Sequence, residues 1–295
     1  GRNGSIDWLC FPNHDSPSVF AALLDDQKGG RFIIEPKCAT QAERDRIKTK
    51  PLYWPATNVL ITRFLADDGV GEIIDFMPVG LRDDELGYHS LIRQVKVVRG
   101  AMSFQVHCCP AFNYARDPHQ LDVTPKGVCF YSETLNLGLA TDIPLKQSDQ
   151  GVTAEFTLSE GEVTVFVLQA IPTGAGCGLP ITPDTANTLF RRTVGFWRQW
   201  LGQSNYTGRW REMVERSALL LKLLTFEPTG AIVAAPTCSL PEELGGGRNW
   251  DYRYTWIRDA AFTLTALLQI GFTEEAGQFM GWIHQCCKNL NPDGS

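Results

Sequence analysis

Thr173-Gly174-Ala175-Gly176-Cys177-Gly178-Leu179-Pro180 carries no hydrophobic periodicity, and the chain is patterned differently on its two sides. Upstream, short β-branched and aromatic runs are punctuated by Gly, Pro, Asp and Asn, the pattern of a multi-stranded antiparallel β-sandwich. Ser103-Phe104-Gln105-Val106-His107 alternates with the period of two that a half-buried strand requires. Strands are predicted over 6–10, 31–35, 58–65, 71–76, 91–98, 102–108, 128–131, 152–158 and 162–170, with one short helix over 17–24.

Downstream the period becomes nearly four. Leu189, Thr193, Trp197 and Leu201 recur within 184–201, an amphipathic helix opened by Thr182-Pro183. Trp210, Val214, Ser217, Leu221 and Leu224 repeat the pattern within 209–225. A third helix, 259–270, ends at Gly271, where a left-handed cap is expected. Thr273-Glu274-Glu275 starts a fourth, with Phe279, Met280, Ile283 and Cys287 on one side. The short link makes the third and fourth helices antiparallel neighbours, whereas a long loop, 227–258, separates the second from the third. Loops of that length inside a compact domain are usually functional.

At 295 residues and 43% hydrophobic content the chain can fill two ordinary cores. A net charge of −6 with interspersed signs supplies no positive field, which argues against nucleic acid and membrane surfaces as partners. No apolar run approaches the ~20 residues of a spanning helix, and the opening residues lack the features of a secretion signal. Nine cysteines, with Cys108-Cys109 and Cys286-Cys287 adjacent, suit no disulfide framework. Reduced thiols and a cytoplasmic location are therefore expected, with the sequons at Asn3 and Asn205 silent. The chain opens without Met in the turn Arg2-Asn3-Gly4 and stops within Asn291-Pro292-Asp293-Gly294, which reads as a piece of a longer protein.

The long loop runs through Gly245-Gly246-Gly247 into Arg248-Asn249-Trp250-Asp251-Tyr252-Arg253-Tyr254-Thr255-Trp256-Ile257-Arg258-Asp259. Flat aromatic faces suit the C–H face of a pyranose, and Arg and Asp donate to and accept from its hydroxyls. Each residue also has a plainer role open to it. Asp259 at a helix start is favoured by the macrodipole and serves as a cap, Arg258 is a partner for Asp251 or a Glu, and Trp250 and Trp256 taken singly are core residues.

The ending of this loop resembles the signature of glycoside hydrolase family 15, the glucoamylase- and trehalase-type enzymes. The opening Asn3-Gly4-Ser5-Ile6-Asp7-Trp8-Leu9-Cys10, with Asp15-Ser16-Pro17 and Phe20-Ala21-Ala22-Leu23-Leu24, resembles the N-terminal domain of trehalase-like bacterial members. The resemblance implies an α+β multidomain chain: an antiparallel β-sandwich over 1–172, a linker with its helix over 173–208, and the first helices of an incomplete (α/α)6 toroid over 209–295. It implies that Arg258 and Asp259 grip the hydroxyls of a terminal glucosyl unit, that Trp256 walls the subsite, that Tyr252 lies near the reacting carbon and that Trp250 belongs to the same aromatic cluster. The implied partner is a small α-glucoside, trehalose or a maltooligosaccharide, with no cofactor and no metal. The oligomeric state is left open.

Family members invert the anomeric centre with two glutamates about 6.5–9.5 Å apart. Both are expected beyond Ser295, leaving no catalytic residue in this chain and making it inactive alone. Glu242 and Glu243 are poor substitutes, since adjacent side chains point apart. His284 and Cys287 have metal-ligand spacing but lack further ligands, so a packed histidine and a buried thiol are expected. The glycine triplet is followed by aromatics rather than Gly-Lys-Ser, so it is a hinge and not a phosphate loop. Asp25-Asp26, Asp67-Asp68 and Asp83-Asp84-Glu85 read as solvated turns. Two rival functions remain: a disaccharide phosphorylase, and a non-catalytic regulator on a glucoamylase-like domain.

Overall fold

The computed structural model describes residues 1–82, 89–172, 174–238, 243 and 245–288. Among the residues singled out above, Thr173, Asp83, Asp84, Glu85, Glu242 and 291–294 lie outside them. The chain divides into two compact units, Gly1–Phe196 and Trp197–Ser295. In chain order the first contains β1 (Ser5–Ile6), β2 (Leu9–Cys10), β3 (Ser18–Phe20), β4 (Arg31–Pro36), α1 (Gln41–Arg46), β5 (Lys48–Tyr53), β6 (Leu60–Leu65), β7 (Gly69–Phe76), β8 (Ser90–Cys109), the turn α2 (Phe112–Ala115), β9 (His119–Thr124), β10 (Gly127–Ser132), β11 (Asn136–Ala140), β12 (Lys146–Ser148), β13 (Gly151–Ser159) and β14 (Val163–Ala170). α3 (Pro183–Leu201) crosses the division, and α4 (Arg211–Leu223), β15 (Thr225–Phe226), β16 (Ala231–Ile232), α5 (Ile257–Gln269) and α6 (Glu274–Lys288) follow.

The fold is α+β, built on an antiparallel sheet of twelve strands among the described residues. β8 organises it. Sequence patterning splits this stretch into two strands because Arg99-Gly100 looks like a turn. The strand instead continues through Gly100 in the left-handed region, φ +71°, beside a bulge at Val70/Gly71, and changes partners there. Its first half pairs with β7 and β14, its second with β4 and β13.

Alternation along β8 sends Leu91, Val95 and Val97 into one core, with Phe32, Phe64, Phe104, Phe130 and Phe166. Ile92 points the other way, into a second cluster with Ile74, Val165 and Ala186, Leu189 and Val194 of α3. Ring contacts between Phe64 and Phe104 and between Phe32 and Phe166 close the first core. Fully buried Arg93 is held there by Asp75 at 2.8 Å, by the carbonyls of Phe32 and Gly4, and over the Phe32 ring.

Several expectations need correction. The helix expected over 17–24 is β3, paired with β2 and buried at Ser18, Val19 and Phe20, followed by a turn. Propensity favoured the helix, and burial on both sides of Val19-Phe20 decided for the strand. β5 was hidden by Pro51, which is tolerated because β5 is an edge strand. On α6, Phe279 is buried but Met280 is 60% exposed, because neighbouring helical positions point about 100° apart. His284 and Cys287 are exposed rather than packed.

In the second unit α5 ends as expected. Gly271 has φ +100°, Phe272 N–H donates to Leu267 O and Gly271 N–H to Leu268 O, the two bonds of a Schellman cap. Phe272, fully buried, stacks on Trp200 at 4.1 Å. Trp200 Nε1 and Lys222 Nζ both donate to Glu275 Oε1 at 2.7 Å. The stretch 227–258 is not wholly irregular, since it contains β16, which pairs antiparallel with β15 just before it.

Candidate functional site

The loop before α5 is held by backbone and charge together. Ala234 N–H donates to Tyr254 O at 3.0 Å, Ala235 N–H to Tyr252 O at 2.8 Å, and Cys238 bridges to Asp251. The segment 251–254 therefore runs antiparallel to 234–238, on the far side of the glycine triplet.

Arg253 fastens this arrangement. It is 5% exposed, and its Nε and Nη2 reach Asp251 Oδ1 and Oδ2 at 3.0 and 2.7 Å, while its backbone N–H also donates to Oδ1 at 3.0 Å. The Arg253 hydrogen bonds, first among the influences, hold the Asp251 carboxyl below the usual aspartate range. Sequence reasoning offered Asp251 to Arg258 and missed Arg253. A visible signal existed: Asp and Arg two apart in an extended segment lie on one side.

With 251–254 fixed, the aromatics gather. Tyr252 and Trp256 lie 5.2 Å apart at 32°, and Trp250 meets Trp256 edge-on at 6.1 Å and 83°. Trp256 Nε1 donates to Asp251 O at 3.3 Å. Trp250 is half exposed, so two of the three rings are partly covered and one faces water. Core residues would be covered on all sides.

Arg258 and Asp259 stand in the first turn of α5. Trp256 is the N-cap residue, and no side chain caps this helix end, so Asp259 is a first-turn carboxylate and not the cap. Arg258 Nη2 reaches Asp259 Oδ2 at 3.2 Å, with the two side chains 72% and 38% exposed. Exposure at that level keeps the pair weak and its groups free to exchange partners. Among the described residues the aromatic trio shares no hydrogen bond or ring contact with Arg258 or Asp259. The structure brings the three rings together and sets the charged pair one turn along the same segment. Such a surface offers apolar faces, a donor fork and a charged acceptor.

Comparison with known proteins bears on both halves of the chain. Residues 1–169 match the family described as trehalase-like, N-terminal, and residues 208–294 match glycosyl hydrolases family 15. The chain is 38% identical over 287 residues to a trehalase of Thermoplasma acidophilum, covering 94% of this chain and 46% of that protein. With a trehalase of Mycolicibacterium smegmatis it shares 33% identity, over 95% of this chain and 44% of that one. The chain thus spans about half the length of the curated relatives it matches. A solved structure of a putative kojibiose phosphorylase from human microbiome superposes with a TM-score of 0.50 at 11% identity, over 88% of this chain and 38% of the other, a likeness of fold alone. The chain therefore belongs to the family of trehalase-like proteins, with the N-terminal domain of that family over residues 1–169 and a glycosyl hydrolases family 15 segment over residues 208–294.

Proposed function

We propose that the protein of which this chain is part hydrolyses an α-glucosidic bond in a small glucoside, with trehalose the first candidate and a terminal glucosyl unit of a maltooligosaccharide the second. The observation that carries this reading is the Trp250, Tyr252 and Trp256 cluster leading directly into Arg258 and Asp259 at the exposed start of α5, inside the segment similar to family 15. The trehalases at 33–38% identity support the substrate.

In this reading Arg258 and Asp259 hold hydroxyls of the terminal glucosyl unit, Trp256 walls the subsite, and Trp250 and Tyr252 complete its apolar side. The bond is cleaved with inversion by two carboxylates about 6.5–9.5 Å apart, both supplied from outside residues 1–295. Glu275 is unsuited to that role, being engaged by Lys222 and Trp200. The helices α4 to α6 are the first of an (α/α)6 toroid, and the domain boundaries are 1–172, 173–208 and 209–295. Nine free thiols support a reducing, cytoplasmic compartment. Phosphorolysis is the competing reaction, distinguished by a requirement for inorganic phosphate and a sugar phosphate product.

The test is Asp259→Asn in the complete enzyme. A charge-assisted hydrogen bond to substrate is worth roughly 1.5–3 kcal/mol, so kcat/KM on trehalose should fall about tenfold to a hundredfold or more. Because Asp259 does not cap α5, the melting temperature should stay nearly constant. A lowered melt with normal turnover would reduce Asp259 to a helix-end charge.

A further inference from the structure

The first unit contains a cavity of about 360 Å³ that lies wholly within it, between the sheet and the first turns of α3. Its floor is the face of β8 on which Ile92 is followed by Gln94 and Lys96, at the point where the stripe toward α3 turns from apolar to polar. Trp54 and Phe190 line it, in edge contact at 5.2 Å. Asp184 and Asn187, one turn apart on α3, supply the opposite wall.

Gln94 supplies the polar part of this floor. The residue is 9% exposed and lines the cavity, and its side-chain amide has no hydrogen-bonding partner among the described residues. It is not one of the enclosed unpaired groups among them, which are the hydroxyls of Ser18, Thr62, Ser132 and Thr193, so the amide keeps access to the open space of the cavity. The Asn187 amide, the Asp184 carboxylate and the Trp54 indole N–H likewise have no protein partner among the described residues. The Lys96 ammonium pairs with Glu72 at 2.9 Å, a carboxylate it shares with Arg63.

We propose that this cavity is a saccharide-binding site of the first unit, separate from the Trp256–Asp259 loop, and that it takes a neutral mono- or disaccharide. Two amides, each both donor and acceptor, match vicinal hydroxyls that also donate and accept, and the carboxylate accepts from a third. The aromatic lining suits the C–H face of a pyranose. A neutral ligand suits the lining better than an anion, because the exposed Asp184 carboxylate borders the same space and Lys96 is engaged with Glu72. The volume is at the lower end of the roughly 300–1,000 Å³ of small-molecule sites, which limits the ligand to one or two rings.

The experiment follows the indole N–H resonance of Trp54, assigned with Trp54→Phe, in the ¹⁵N-labelled chain titrated with glucose and with a thio-linked diglucoside that resists hydrolysis. A saturable shift is expected. Gln94→Ala and Asn187→Ala should each weaken the apparent affinity about twofold to tenfold, as loss of neutral hydrogen bonds predicts. Alanine is the better helix former at position 187, so weakening in that variant is not unfolding. Asp259→Asn should leave the titration unchanged, which separates failure of this site from failure of the proposed catalytic subsite. The proposal is overturned by no shift with either sugar, by equal affinity in both cavity variants, by loss of the shift in Asp259→Asn, or by a shift with inorganic phosphate and none with sugar.

Discussion

Arg253 and Asp251 show how one ion pair shapes a binding loop. The guanidinium is almost fully enclosed, so Arg253→Ala removes a charge whose partner remains partly buried, and a loss of about 1–3 kcal/mol is expected. Because the pair also sets the course of 251–254, the near-ultraviolet circular dichroism of the Trp250, Tyr252 and Trp256 cluster should change with it. An unaltered spectrum would show that the rings hold their own positions. The pH dependence follows in sign. The Asp251 carboxyl titrates below its ordinary value in the folded chain, so its stabilisation is complete above the unfolded aspartate pKa of about 3.9 and is lost as pH falls through the lower folded value. Asp251→Asn should flatten the stability profile below about pH 4 and leave its neutral limb parallel to the parent, as denaturant midpoints across pH would reveal.

Among the helices, Glu275 is the junction. Its carboxylate at the start of α6 accepts from Trp200 near the end of α3 and from Lys222 near the end of α4, while Trp200 stacks on Phe272 just past α5. Burial pushes this carboxyl up, but the bonds from Lys222 and Trp200 outweigh it and hold it below the usual glutamate range. Glu275→Gln retains an acceptor for Trp200 and leaves Lys222 without its countercharge in a largely enclosed place. A loss of about 3–5 kcal/mol is expected for breaking such a pair. Calorimetry should show the transition of the second unit lowered and that of the first unchanged. Equal lowering of both would contradict a junction confined to the second unit. Periodicity located these helices, but it assigned Glu275 only to an N-terminal turn, because a helical repeat ranks faces by hydropathy and says nothing about a distant lysine.

For the molecule as a whole, the two units differ in how they treat apolar side chains. The first buries ring upon ring around β8, whereas the second leaves Met213, Leu220, Ile257, Phe262 and Met280 between 52% and 72% exposed. Apolar surface on that scale promotes association. The 295-residue chain should bind a hydrophobic dye at neutral pH and elute from gel filtration at a size that grows with concentration. A monomeric profile with a single sharp melt would count against that expectation.

Periodicity alone settled the division of this chain into a β-rich front and a helical back, since apolar spacing of two or of nearly four dictates which backbone can bury a continuous face. The Gly271 cap was equally legible, because a left-handed helix end favours the one residue without a Cβ. The loop from Trp250 to Asp259 stood out by its aromatic and charged composition. Tertiary structure decided the rest. That β8 is one strand serving two sets of neighbours follows from pairings between residues far apart in sequence, Arg31 with Cys109 upstream and Ser90 with Gln169 downstream. That Asp251 belongs to Arg253, that Met280 faces outward and that Gln94 stands unpaired over a cavity are outcomes of packing in three dimensions. Local pattern determines which face a side chain takes, and only the assembled fold determines what waits there.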